Sequence, residues 1–181
     1  MHRKGILKYL ADYQPTSSDE MGIVKRFTHF VTATPDCFER THASGHITGS
    51  SFILSSDRRC VLLAFHAKLR KWLQLGGHAD GCSDTHDVAR REAFEESGIS
   101  TLLPYLHPEA PIDFDIHEIP PNIKEGSHLH YDVRYVFCAQ EDAYTCSSES
   151  LELRWVPFDT ISNYSTEPSL LRVIQKIKDT V

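Results

Sequence analysis

Hydrophobic positions along the chain change period twice. Near the start, Ile6, Leu7, Leu10 and Tyr13 recur at helical spacing, and Pro15 ends that pattern. Ser17 and Glu20 then form a capping-box signal ahead of Val24, Phe27 and Val31, which share one helical face. From His46 the texture becomes that of strands. Residues 46–54 and 60–65 flank the polar turn 55–59 and predict a hairpin. Residues 72–75 predict a short strand that ends at Gly76-Gly77, and residues 84–97 predict a helix stopped by Gly98. Strands are also predicted over 112–116 and 151–156. The clearest is 128–138, where Leu129, Tyr131, Val133, Tyr135 and Phe137 alternate with His128, His130, Asp132 and Arg134. Pro168 opens a closing helix carrying Leu170, Leu171, Val173, Ile174 and Ile177. Strands interspersed with helices predict a layered α/β domain.

Composition narrows what such a domain can do. At 181 residues and 40% apolar, the chain can bury a core without disulfides. A net charge of −6 argues against a general nucleic-acid binder. It also disfavours anionic substrates unless a cation bridges them to the protein. Five cysteines without CxxC spacing read as free thiols in a reducing cytoplasm. The apolar residues of 1–14 are interrupted by charges, so neither a signal peptide nor a membrane association is expected.

The chemistry concentrates between Gly76 and Ile99. On a helix, Glu92, Glu95 and Glu96 stand at i, i+3 and i+4 and project from one face. Like charges at that spacing repel, and they sit near the helix C-terminus, where the macrodipole disfavours anions. A hard divalent cation such as Mg²⁺ or Mn²⁺ is the natural partner, since it takes oxygen ligands and bridges carboxylates to phosphates. Glycine lets the backbone approach an ion closely, so the Gly77 carbonyl could add a ligand.

This stretch resembles the Nudix box, G-x5-E-x7-R-E-U-x-E-E-x-G-U with U a bulky apolar residue. Gly77 takes its first glycine, Arg91-Glu92 its R-E, Glu95-Glu96 its E-E, and Gly98-Ile99 its last pair. The wording GGHADG also looks like that of a bacterial subgroup. Two positions depart: Ser83 stands where the box has its first Glu, and Ala93 is small at a bulky site. Asp80 and Asp84 are near enough in sequence to compensate for Ser83.

The resemblance implies a Nudix-like α/β/α sandwich with a mixed β-sheet over 45–181, and residues 1–44 as a helical N-terminal extension packed on it. It implies hydrolysis of a phosphoanhydride bond in a small molecule, a nucleoside diphosphate linked to another moiety. Glu92, Glu95 and Glu96 would then ligate the metal, and Arg91 would orient a box carboxylate. Members often recruit a carboxylate from outside the box, and Glu149 is the candidate ligand or base.

Other residues are open to two readings. His130, Asp132 and Arg134 could face the diphosphate, or form the polar side of a half-buried strand. His78 could touch phosphate or bond within its loop. Lys68, Arg70, Lys71 and Trp72 could grip phosphate and stack a base, or form a solvated turn beside a core Trp. Two rival functions stay in view: a catalytically silent binding module, motivated by Ser83, and a metal enzyme of another class built on His128, His130 and Asp132. Specificity is expected in the loops 104–111 and 122–127. The N-terminal helices could equally serve contact between two copies, a homodimer.

Overall fold

The computed structural model describes residues 2–105, 110–121, 126–148 and 150–180. Helix α1 spans Lys4–Asp12 and α2 spans Ser18–Ala33. Ser17 caps α2 by accepting from the Glu20 N–H at 3.2 Å. The Glu20 carboxylate does not close the expected box on Ser17. It accepts instead from Thr16 Oγ1 at 2.7 Å, Tyr13 at 2.8 Å and Lys176 at 2.9 Å.

The strands are β1 (Gly45–Leu54), β2 (Cys60–His66), β3 (Trp72–Leu73), β4 (Leu75–His78), β5 (Leu102–Pro104), β6 (Asp113–Ile119), β7 (His128–Ala139) and β8 (Ser150–Pro157). They form one mixed sheet in which β1 and β7 run parallel in the centre. The pairs β1–β2, β1–β4, β2–β3, β2–β8, β5–β7 and β6–β7 are antiparallel. The hairpin expected between β1 and β2 is therefore brief, pairing only Ile53 with Leu62 and Leu54 with Val61. The main partner of β1 is the distant β7, in register from Gly45↔Leu129 to Leu54↔Cys138. The strand expected over 72–75 divides at Gln74 into β3, paired with β2, and β4, which pairs with β1 and runs through both glycines to His78.

Alternation along β1 separates two cores. Ile47 and Ile53 point to one side, where α1, α2 and α3 (Thr85–Ser97) pack with Ile6, Leu10, Phe27, Phe30, Val31, Val88 and Ala89. Phe52 and Leu54 point to the other, where α4 (Pro168–Lys178) supplies Leu170, Val173, Ile174 and Ile177. The layering is thus α/β/α. Gly49 sits where a Cβ would meet the Thr85 carbonyl at 2.9 Å and the Ala89 N–H nitrogen at 3.0 Å, so a side chain there would push α3 off the sheet.

The second face of the sheet is not apolar throughout. On β7 it runs from His128, His130 and Asp132 through Arg134 to Val136 and Cys138, which join the α4 core. On β1 it runs from His46, Thr48 and Ser50 to Phe52 and Leu54. The α4 layer covers the apolar half, and the polar half is left to form the wall of a cleft.

Candidate active site

That cleft has a volume of about 710 Å³, within the range of small-molecule sites. Strands β1, β4, β6 and β7 and the last turns of α3 contribute to it. Thr48, Gly76, Gly77, Glu92, Glu95 and Asp132 lie on its wall.

Helix α3 is placed by its ends and its apolar face. Asp84 caps it by accepting from the His86 and Asp87 N–H groups, both at 3.1 Å. Gly98 closes it in the left-handed conformation at φ 69°, donating to the Phe94 carbonyl at 2.8 Å. Val88, Ala89 and Ala93 are fully buried against the sheet. The small Ala93 belongs to this packed face.

With the helix so fixed, Glu92 and Glu95 reach the cleft wall. Glu96 lies deeper, 8% exposed, and accepts from the Gly76 N–H at 2.8 Å. Arg91 donates through Nη2 to the His78 carbonyl and to Glu92, each at 2.9 Å, and its Nε stands 3.8 Å from Glu95. The hydrogen bond to Glu92 and the nearby carboxylates raise its pKa, so it stays a cation throughout. Gly77 faces the Glu92 carboxylate so closely that a Cβ would collide with it. The glycine pair thus allows contact between strand and carboxylate, a requirement stronger than a turn.

Asp132 is 1% exposed and accepts from Thr48 Oγ1 at 2.9 Å, Ser50 Oγ at 2.8 Å and Arg134 Nε at 2.9 Å. The strand register explains this, because Thr48 stands opposite Asp132 and Ser50 opposite Arg134. Arg134, read as a candidate for substrate binding, lies behind the cleft with its side chain 3% exposed. It binds Asp115 at 3.0 Å and Asp113 at 3.5 Å, and donates to the Ser169 carbonyl at 3.1 Å. Arg172 and Lys176 complete the network, each 2.7 Å from Asp113. Burial pushes the Asp115 carboxyl up, but His117, Arg134 and Arg172 together hold it far below the usual carboxylate range. A guanidinium spent on three aspartates is a structural cation, which corrects the expectation for Arg134.

The histidines also group differently from expectation. The triad of His128, His130 and Asp132 does not form around a common point, because Asp132 is turned to Thr48, Ser50 and Arg134. Instead His46 of β1, His78 of β4 and His130 of β7 converge, each offering a ligand atom within 4.8 Å of the others. The ring of His130 lies 4.9 Å from His46, 5.1 Å from His78, 5.5 Å from His117 and 5.2 Å from His128. Burial, reinforced by His117, His78, His46 and His128, pushes the His130 pKa down to about 2, so its ring is neutral. Its Nε2 is buried and meets no hydrogen-bond partner among the described residues. Leaving a polar atom so costs about 1–3 kcal/mol. His46 was missed as a site residue. The usable signal was parity, since it lies on the same face of β1 as Thr48 and Ser50.

Arg70 is not on the cleft wall. Its backbone has φ 55° and its guanidinium lies over the Phe65 ring at 5.0 Å. Of the basic group beside it, Lys68 lines the cleft, Lys71 pairs with Glu167 at 2.5 Å, and Trp72 packs on the α4 core. Glu149 and parts of the loops 104–111 and 122–127 lie outside the described residues.

The family model described as the NUDIX domain matches residues 46–177. The chain belongs to the Nudix family. It is a Nudix-type hydrolase, acting on diphosphate bonds. Compared by sequence with curated proteins, it matches none. Among solved structures it is similar to a hydrolase of the Nudix family from Clostridium perfringens, at 25% identity and TM-score 0.62, covering 75% of this chain and 98% of that one. It is similar to the E. coli dihydroneopterin triphosphate pyrophosphohydrolase, at 14% identity and TM-score 0.58, covering 75% and 96%. The NUDIX domain of Shewanella oneidensis NrtR, complexed with ADP ribose, aligns over 96% of both chains at 14% identity and TM-score 0.52.

On this Nudix fold the two residues near Ser83 take separate duties. Asp84 is spent on the cap of α3. Asp80 lies on the cleft wall and is paired with Arg40, whose hydrogen bond holds its carboxyl below the usual range. No helix among the described residues is long and apolar enough to cross a membrane.

Proposed function

We propose that this Nudix hydrolase cleaves the diphosphate of a nucleoside diphosphate linked to another moiety, using Mg²⁺ or Mn²⁺ held by Glu92, Glu95 and Glu96. One observation carries the reading. Glu92 and Glu95 open onto the cleft beside a glycine strand that permits the close approach of Glu92. The donor set suits a hard dication, being carboxylate oxygens with Gly77 as the candidate carbonyl ligand, and no cysteine lines the cleft among the described residues. Such an ion, when bound, neutralises diphosphate charge and favours ionisation of the attacking water.

The chain's own residues orient the rest. Arg91, tied to the His78 carbonyl, holds the Glu92 carboxylate in place. Lys68, which also lines the cleft, offers a positive charge to phosphate oxygens. His78, His130 and Asp132 line the substrate side. Glu149 follows Ser148, itself a lining residue, and is our candidate for the base. Five free thiols suit a reducing cytoplasm.

The test is turnover of a substrate panel with Mg²⁺: ADP-ribose, nucleotide sugars, dinucleoside polyphosphates, NADH and oxidised nucleotides. ADP-ribose comes first because the Shewanella domain holds it. Metal-dependent release of product, lost in Glu95→Gln, is the expected result. Binding without turnover across the panel would favour the silent module that Ser83 suggests.

A further inference from the structure

The imidazoles of His46, His78 and His130 form a second site, and we propose that it takes a late first-row transition-metal dication of the zinc class. This site is chemically distinct from the carboxylate site of α3 and stands independently of it.

Three strands fix the ligands. His46 and His130 are direct partners in the parallel β1–β7 register, and His78 stands on β4 opposite Thr48 of the same β1. Rigid strands hold such a constellation more sharply than loops do. The three ligand atoms lie within 4.8 Å of one another. Zinc–nitrogen bonds run about 2.0–2.1 Å, so the nitrogens of one tetrahedral ion stand roughly 3.3–3.5 Å apart. Binding one ion therefore requires the three nitrogens to close to that separation.

Chemistry selects the ion. Neutral imidazole suits zinc, copper, iron and nickel, whereas magnesium and calcium take oxygen. His130 offers a buried Nε2 that meets no hydrogen-bond partner among the described residues. The surrounding rings supply an outer layer. Nδ1 of His117 lies 3.1 Å from Asp115, and Nδ1 of His128 lies 2.9 Å from the Gly126 carbonyl. These bonds orient the two non-ligating rings that pack against His130. An anion held by protonated rings is the competing occupant. It fits less well, because protonated rings with centroids 4.9 to 5.1 Å apart would set like charges against one another. His78 and His130 also line the cleft, so a cation bound there would face the substrate space.

The decisive measurement is binding of Zn²⁺ to the whole chain after EDTA treatment, by calorimetry, with the visible spectrum of the Co²⁺-loaded protein as a second readout. One Zn²⁺ per chain, of sub-micromolar affinity, is expected. Co²⁺ should give visible bands of a low-coordinate nitrogen site. In His130→Asn and His78→Gln the affinity should fall at least tenfold and the bands should vanish. In Glu95→Gln both should persist. Because His46 is deeply buried, the two cleft-lining variants carry the test, each with its Tm recorded. Absence of Zn²⁺ binding, equal affinity in the His variants, or loss of binding only in Glu95→Gln would overturn the proposal. So would binding of inorganic phosphate below pH 6 in place of any Zn²⁺. Mg²⁺-dependent turnover is measured separately, so failure here leaves the hydrolase reading standing, and the reverse holds.

Discussion

The molecule contains two crowded sets of carboxylates built to opposite rules. Asp113, Asp115 and Asp132 have side chains 0%, 9% and 1% exposed, and Arg134, Arg172 and Lys176 are interleaved among them. Glu92 and Glu95 have side chains 16% and 58% exposed, lie along the cleft wall and share Arg91. In the first set the chain supplies the cations, and burial makes them permanent. In the second the carboxylates stay within reach of solvent, where a diffusible ion can enter and leave. Negative charge density alone therefore does not mark a metal site. What separates the two is whether the cluster is sealed with its own counter-charges.

The strongest way to break this comparison is to unbalance the sealed set. Asp113 accepts from Arg172 Nε at 3.0 Å and from Lys176 at 2.7 Å, and also contacts Arg134 and Tyr13. Asp113→Ala leaves these cations facing one another. Removing one partner of a buried pair costs about 3–5 kcal/mol. Urea unfolding should show that loss. A variant as stable as the parent would mean that the network contributes nothing to the fold.

The open set should behave in the other way. Glu92→Gln should lower Mg²⁺-dependent turnover by about 100-fold or more, while Tm moves by no more than about 2 °C. A large fall in Tm with activity retained would place Glu92 in the fold and not in the chemistry. A smaller effect is expected one residue removed. In Gly77→Ala the added methyl would displace the Glu92 carboxylate, and misplacement of about 1 Å costs on the order of 10- to 100-fold in rate. Normal turnover in that variant would show that the carboxylate tolerates movement.

How much of this was legible in the sequence follows from the range of the signals. The box spacing, the Gly98 stop of α3 and the alternation of β7 are local, and the structure keeps them. Pairing between β1 and β7 joins residues more than eighty positions apart, so no turn chemistry announces it. That pairing decides which polar residues meet. It brings Thr48 and Ser50 to Asp132 and sets His46 beside His130, while the β6–β7 pairing sets Asp113 opposite Arg134 and Asp115 opposite Asp132. Arg134 looked like a substrate ligand because a strand pattern gives a residue's face but not what lies over it. Arg172 and Ser169 of α4 cover that part of the sheet. The reach of Glu20 was hidden for the same reason, since its partner Lys176 lies at the other end of the chain.

Glu20 gives the finest test of the sealed network, visible only in acid. Its side chain is 2% exposed, and that burial alone would raise its pKa. Hydrogen bonds from Lys176, Thr16 and Tyr13 outweigh burial and hold it at about 2, against an ordinary value of 4.5. The folded protein thus binds this proton more weakly than the unfolded chain does. The sign follows: the contribution is complete above the unfolded value and is lost as pH falls through the folded one. Unfolding midpoints in urea should decline between about pH 5 and pH 2, more steeply in the parent than in Glu20→Gln, which has no such proton to take up. Equal slopes would show that the Lys176–Glu20 pair is not coupled to folding. The extension α1–α2 would then be held on the sheet by its apolar face, through Phe27, Phe30 and Val31.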